Sequence, residues 1–96
     1  MSIRLVISFT AAPGRGAELA AAFRARCLEV ATEPGCEQFE VFQSAVDPDR
    51  LVLLEHWADQ AALDAHMQMN TTRTPIPADL RVGTGGREDY VYNSTR

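Results

Sequence analysis

The segment LVLLEHW, residues 51–57, constrains the fold most, because it carries apolar side chains on both faces of a predicted strand. Successive strand residues point to opposite faces, so Leu51 and Leu53 share one face. Val52 and Leu54 then share the other. An antiparallel sheet with one face in water alternates between apolar and polar residues, and this strand does not. We therefore expect both faces of the sheet to be covered.

The first half of the chain predicts a strand, a helix and a hairpin. Alternating residues over Ile3–Phe9 predict a strand, and apolar residues at helical spacing predict a helix over about Arg15–Thr32. Two further strands are predicted over Phe39–Ser44 and Leu51–Trp57, with Asp47-Pro48-Asp49 as a tight turn between them. Because the turn is short, these two strands form an antiparallel hairpin.

The second half of the chain predicts one more helix and one more strand. A short helix is expected over about Asp59–Met69, with Asp59 as its N-cap. Two prolines prevent a regular helix across Thr71–Ala78. The glycines of Gly83–Gly86 predict a loop, and Glu88–Asn93 predicts the last strand.

The predicted order β-α-β-β-α-β is typical of ferredoxin-like α+β folds, which have a four-stranded antiparallel sheet with helices on one face. The 96 residues fit a single domain spanning 1–96. Since two helices cover one face of the sheet, we expect a second copy of the chain to cover the other face in a homodimer. The alternative is a monomer that exposes a few apolar side chains.

Charge and hydropathy exclude two classes of partner. The formal net charge is −4 and the basic residues are scattered, which argues against nucleic acid and anionic membranes as partners. The N-terminal residues lack the pattern of a signal peptide. The apolar stretches are far shorter than the roughly 20 residues that span a bilayer. We expect no membrane association and a cytoplasmic location.

Trp57 and His66 are the best candidates for functional residues. Trp57 ends the third strand, and His66 lies about two turns into the second helix on its apolar stripe. The two side chains could border one cavity between the sheet and the helices. Histidine can exchange protons near neutral pH, which suits catalysis. The alternatives are a core or interface tryptophan and a hydrogen-bonded core histidine.

Other chemistries find little support in the residues. Glu55 could pair with His56 or Arg50, or be an edge carboxylate, and His56 alternates away from Trp57 toward an interface or solvent. His56 and His66 lie on different elements without a metal-binding spacing, so no metal site is expected. No hydrolytic triad or phosphate-binding loop is recognisable. If the chain is an enzyme, we expect its reaction to need few catalytic groups.

Three segments together resemble the antibiotic biosynthesis monooxygenase family. They are Glu-Pro-Gly-Cys at 33–36, Asp-Pro at 47–48, and the pattern E-x-W-x-D-x-x-A-L-x-x-H over 55–66. The resemblance covers about Arg4–Met69. It implies a dimeric α/β barrel built from ferredoxin-like subunits, in agreement with the two-faced sheet inferred from the residues.

The family resemblance implies a cofactor-free monooxygenase that oxidises a quinol, polyphenol or anthrone-like compound with O₂. His66 and Trp57 would be its catalytic residues. A non-catalytic, dimeric protein that binds a small ligand or responds to stress is the alternative on the same scaffold. Haem degradation is disfavoured, because no axial ligand can be matched. The residues expected to contact the substrate are Phe9, Phe39, Leu53, Leu63, Met67 and Asn70.

The chain departs from the family pattern after His66. Many relatives continue with a Thr-Pro-His segment and a longer helix that closes the pocket. Here the corresponding residues are Met69-Asn70-Thr71-Thr72, followed by two prolines. The resemblance therefore implies a pocket that is more open or more apolar than in those relatives.

Overall fold

The predicted order of strands and helices is confirmed in a computed structural model, which describes residues 1–93 of the chain. The protein is α+β with the order β-α-β-β-α-β. A short 3₁₀ turn, Ala78–Leu80, precedes the last strand. The main elements are β1 (Ile3–Ala11), α1 (Gly16–Val30), β2 (Cys36–Gln43), β3 (Arg50–Trp57), α2 (Gln60–Asn70) and β4 (Arg81–Val91).

The four strands form one antiparallel sheet in the order β2-β3-β1-β4. The register places Phe39, Glu55, Leu5 and Asp89 in one row across the four strands. Because paired residues in adjacent strands point to the same face, this row lies on the face that the helices cover. The ferredoxin-like arrangement follows directly from the two βαβ-type connections.

The core fills the space between the sheet and the two helices. Strand β3 alternates strictly, with its odd-numbered residues Leu51 to Trp57 buried on the helix side. On α1, Leu19 and Val30 are fully buried, and Phe23 stacks on Phe9 with ring centroids 5.0 Å apart. Burying apolar side chains of this size contributes about 1.5–3 kcal/mol each, so these contacts hold the helices on the sheet.

The opposite, outer face of the sheet is also apolar, as the sequence predicted. Val6, Val52 and Leu54 lie on it and are partly buried by their neighbours, whereas Phe42 is 47% exposed. In the part of the chain that the structure describes, both helices pack on the other face. No helix within residues 1–93 therefore covers the outer face.

The prediction of a loop over Gly83–Gly86 is wrong, because these residues lie inside β4. Gly83 and Gly85 adopt positive φ angles of 72° and 69°, which only glycine adopts without strain. The register between β1 and β4 shifts between Ser8 and Thr10, opposite these glycines. A bulged edge strand and a loop select the same residue type, so the glycines alone did not distinguish them.

Strand boundaries also differ from the expected ones. Strand β2 begins at Cys36 rather than Phe39, and β4 begins at Arg81 rather than Glu88. Every residue of β4 is exposed, so the burial alternation that predicts a strand is missing there. Within residues 1–93, no helix has the length and apolar character needed to cross a membrane.

Candidate functional site

Trp57 and Glu55 form the floor of the candidate site. Both point to the helix side of β3 and are buried. The indole Nε1–H of Trp57 donates a hydrogen bond of 2.9 Å to Oε1 of Glu55. Burial raises the pKa of the Glu55 carboxyl group, and this hydrogen bond partly offsets the shift. Of the two alternatives considered for Glu55, pairing with His56 or Arg50 and an edge carboxylate, neither describes it, because it is buried and its partner is the indole two residues along the same strand.

His66 reaches this floor from α2. The Asp59 side chain accepts a hydrogen bond of 2.8 Å from the backbone N–H of Ala62, which caps the first turn and starts the helix. The helix then directs His66 toward the sheet, where it is 5% exposed. Its ring lies 4.7 Å from the Trp57 ring and 5.5 Å from the Phe39 ring, centroid to centroid. The Trp57 and His66 rings are therefore in direct contact.

Glu33 completes the site, although no role was predicted for it from the sequence. It lies in the turn after α1, with its carboxylate buried. Nδ1 of His66 lies 3.1 Å from Oε1 and 3.3 Å from Oε2 of this carboxylate. Arg73 donates from Nη2 to Oε2 of Glu33 at 2.6 Å, and from Nε to Glu29 at 2.9 Å. A chain of polar contacts thus links His66 to the segment that follows α2.

The sequence did contain a sign that Glu33 matters, because it begins the Glu-Pro-Gly-Cys segment. That segment was used only as part of the family resemblance. The signal for Arg73 was absent, because it lies in the irregular stretch between the helix and the prolines. Glu33 and Arg73 are 40 residues apart in sequence. Neither periodicity nor spacing connects residues at such a separation.

The six residues expected to contact the substrate fall into two groups. Phe39 contacts the His66 ring, and Leu63 is buried one turn before His66 on α2. Leu53 is buried on the same side of β3 as Trp57. All three therefore lie on the side of the sheet where His66 and Trp57 meet.

The other three expected contacts lie away from that point. Phe9 pairs with Leu51, six residues from Trp57 along β3, which corresponds to about 20 Å. Met67 is 45% exposed. Asn70 is exposed and accepts a hydrogen bond of 3.3 Å from Arg26.

His56 lies on the outer face of the sheet, as its alternation predicted. Its Nδ1 is 3.2 Å from Oε2 of Glu37, and its ring lies 4.5 Å from the Tyr92 ring. The guanidinium of Arg4 lies 5.7 Å from the centre of the same Tyr92 ring. Nε2 of His56 is buried without a hydrogen-bond partner in residues 1–93. The two histidines therefore occupy separate environments.

Three open grooves are each lined by a residue that contacts His66 or Glu33, but neither Trp57 nor His66 lines any of these three. An apolar groove of about 500 Å³ runs between α1 and β2 and is lined in part by Cys27, Leu28 and Phe39. A second groove, of about 360 Å³, is bordered by Glu33. A third, of about 570 Å³, is bordered by Arg73. The first has the size and apolar lining that small-molecule sites usually show.

Across residues 1–93, no group of three or more His, Cys, Asp and Glu side chains is arranged to hold a metal ion. The side chains around His66 instead combine one imidazole, two aromatic rings, two buried carboxyl groups and one guanidinium. This arrangement can accept a proton, balance the resulting charge and contact an aromatic ligand.

Comparison with known proteins identifies similar chains. A family model described as antibiotic biosynthesis monooxygenase matches residues 2–74. A solved structure from Pseudomonas aeruginosa is 25% identical, with a TM-score of 0.79 and coverage of 97% of this chain and 95% of that one. A protein of Shewanella oneidensis is 26% identical, with a TM-score of 0.76 and coverage of 93% and 88%.

A third structure, of a candidate antibiotic biosynthesis monooxygenase from Nitrosomonas europaea, is 23% identical. Its TM-score is 0.77, and the match covers 96% of this chain and 98% of that one. At this identity the likeness concerns the fold. No curated protein sequence matches the chain.

Proposed function

The chain belongs to the antibiotic biosynthesis monooxygenase family, and we propose that it oxidises a quinol, polyphenol or anthrone-like compound with O₂ without a cofactor. The observation that carries this proposal is the buried His66 ring, packed against Trp57 and hydrogen-bonded through Nδ1 to Glu33. A buried imidazole beside an aromatic wall suits deprotonation of a phenol or of an activated CH₂ group.

The proposed reaction on an anthrone-like CH₂ group begins with proton transfer to His66. The resulting carbanion supplies electrons to O₂, and a C–O bond forms to give a peroxide anion. His66 returns its proton to the terminal oxygen. Loss of water from this hydroperoxide leaves a ketone, so CH₂ and O₂ become C=O and H₂O. His66 ends in its starting protonation state.

The residues around His66 would assist this chemistry by electrostatics and by excluding water. Glu33 lies against the imidazole and would stabilise its protonated form, as a carboxylate does in other acid–base sites. Trp57 and Phe39 contribute apolar rings that keep water from the oxygenated intermediate. Both effects favour the substrate anion in the site over the same anion in water.

We propose that the substrate enters through the groove between α1 and β2. Phe39 borders this groove, and its ring also contacts His66. For a bound aromatic ring to reach the imidazole, the buried Phe39 side chain would have to move aside. Leu28 and Cys27 on α1 would contact the rest of the ligand.

We also propose that the protein is a homodimer joined through the outer faces of two sheets. Phe42, Val52 and Leu54 supply apolar area there. Nε2 of His56, which has no hydrogen-bond partner within residues 1–93, lies on the same face. Sedimentation at micromolar concentration is expected to give twice the chain mass of 10.6 kDa. A mass of one chain would contradict this proposal.

Oxygen consumption tests the enzymatic proposal. A panel of hydroquinones and anthrones, prepared without oxygen, is added to the protein in aerated buffer, and O₂ uptake is recorded against a protein-free blank. We expect faster uptake with at least one member of the panel. Binding of the same compounds, measured calorimetrically without any acceleration of uptake, would instead support the non-catalytic ligand-binding alternative.

A further inference from the structure

The turn that carries Glu33 is fixed against the helix that carries His66. The backbone N–H of Glu33 donates to the carbonyl of Val30 at 2.9 Å, and the carbonyl of Glu33 accepts from Cys36 at 3.1 Å. Gly35 packs so closely on α2 that a Cβ atom there would lie 2.5 Å from Cβ of Ala62. Since Ala62 lies one turn before His66, the carboxylate and the imidazole are held in a defined relative position.

The hydrogen bonds of Glu33 determine which nitrogen of His66 carries the proton. A carboxylate that already accepts from the guanidinium of Arg73 has no hydrogen to donate. Nδ1 of His66 must therefore be the donor in its contact with Glu33. In the neutral imidazole, Nε2 is then the acceptor, because only one ring nitrogen carries hydrogen.

The charged side chains around Glu33 favour the uptake of one proton. Glu29 and Glu33 supply two carboxylates and Arg73 one guanidinium, which together leave one negative charge. The side chains of Glu33 and His66 are each 6% exposed, so little water screens the charge of Glu33, whereas the Glu29 side chain is 59% exposed and its charge is screened. A proton taken up at Nε2 would bring this cluster to neutrality.

We propose that Glu33, clamped by Arg73, is a positioning residue that fixes His66 as the Nδ1–H tautomer and leaves Nε2 as the proton acceptor. The catalytic consequence rests on the proposed oxygenase function, whereas the tautomer does not depend on it. Carboxylates orient imidazoles in this way in many sites where the second nitrogen performs the chemistry.

The chain provides a matched control in its other histidine. His56 contacts Glu37 through Nδ1 at 3.2 Å, almost the same distance as in the His66–Glu33 pair. The Glu37 side chain is 50% exposed, and the pair lies on the outer face of the sheet. Glu37→Gln therefore makes the same chemical change as Glu33→Gln away from the candidate site.

Nitrogen-15 NMR of the imidazole rings tests the proposal without any substrate. The chain has only two histidines, so each ring is assigned by comparing His56→Ala with the unsubstituted protein. In the unsubstituted protein at a pH where the ring is neutral, we expect His66 Nδ1 at a protonated and Nε2 at an unprotonated nitrogen shift. Glu33→Gln is expected to shift His66 toward the Nε2–H tautomer, because Arg73 donates to the amide oxygen and the amide N–H is left to donate to Nδ1. Glu37→Gln is expected to leave the His66 shifts unchanged.

Two results would overturn the proposal. One is an Nε2–H tautomer for His66 in the unsubstituted protein, a measurement that does not depend on how well any variant folds. The other is a folded Glu33→Gln protein whose His66 shifts are unchanged. If the unsubstituted protein shows the expected tautomer but consumes no O₂, the oxygenase function fails while the role of Glu33 in holding the ring remains. If the unsubstituted protein shows the expected tautomer and also consumes O₂, Glu33→Gln is expected to lower kcat roughly 10²-fold with little change in KM.

Discussion

The two histidine–glutamate pairs have nearly equal lengths but lie in opposite environments. His66 and Glu33 are enclosed between helix and sheet, with Arg73 as a counterion and Trp57 as a neighbour. His56 and Glu37 lie on the outer face, where the carboxylate is half exposed. An ion pair with a half-exposed carboxylate contributes about 0–1 kcal/mol, because water competes for that carboxylate. Distance alone therefore does not identify the functional histidine, whereas burial and charge balance do.

The largest expected effect follows from removing the counterion of the buried pair. Arg73→Met leaves the Glu33 carboxylate buried without its guanidinium, which is expected to lower the free energy of unfolding by about 3 kcal/mol. Arg87→Met removes an exposed ion pair with Asp89 and is expected to cost about 0–1 kcal/mol. Urea unfolding measures both. Equal losses would show that the Arg73 cluster is as solvent-screened as the surface pair.

The next effect concerns the turn that positions Glu33. Gly35→Ala forces a Cβ atom into Ala62 at a positive φ of 82°. Gly14→Ala meets the same backbone restriction at a φ of 77° but has open space around it. We expect Gly35→Ala to be less stable than Gly14→Ala by about 1–3 kcal/mol, the usual range for overpacking. Thermal unfolding compares them, and equal values would argue against close packing of the turn on α2.

A smaller effect comes from Glu55, the other buried carboxyl group of the site. Burial raises its pKa, so the folded state binds more protons than the unfolded state above the ordinary pKa of a glutamate. Stability is then lost as pH rises through this range. Glu55→Gln keeps an oxygen for the Trp57 N–H and removes the titration. We expect the variant to be more stable than the unsubstituted protein near neutral pH, with the difference disappearing near pH 4. A constant difference across this range would contradict the assignment.

The smallest effect is expected on the outer face. Glu37→Gln removes the charge next to His56, and its carboxylate is half exposed. We expect a change in unfolding free energy of at most about 1 kcal/mol and an unchanged rate of O₂ uptake. Glu33→Gln, assayed in parallel, supplies the contrast. A large loss of activity in a Glu37→Gln protein that sediments like the unsubstituted protein would indicate that the functional site lies on the outer face.

The fold was predictable from the sequence where the spacing of the buried residues matches the period of a strand or a helix. Strand β3 alternates between two apolar faces, and α2 has both an N-cap and an apolar stripe, so sequence periodicity located them to within a residue or two. Of strand β4, only the part from Glu88 onward was predicted, because all of its residues are exposed and its glycines also suit a loop. Edge strands without a buried face leave no periodic signal.

The candidate site was predictable only in part. The encounter of Trp57 with His66 followed from a strand end and a helix stripe. The partners Glu33 and Arg73 did not, because their contact joins a turn to an irregular segment 40 residues later. Contacts of this kind depend on the tertiary fold, which a periodic pattern does not encode.

The comparison of the two histidines is tested most directly by O₂ uptake with His66→Ala and His56→Ala, using a substrate identified from the hydroquinone and anthrone panel. The account predicts that His66→Ala lowers kcat/KM by about 10²- to 10⁴-fold, the range for a general acid–base group. His56→Ala is expected to retain the unsubstituted rate. Unchanged turnover in a folded His66→Ala protein would contradict the account, as would a comparable loss in His56→Ala.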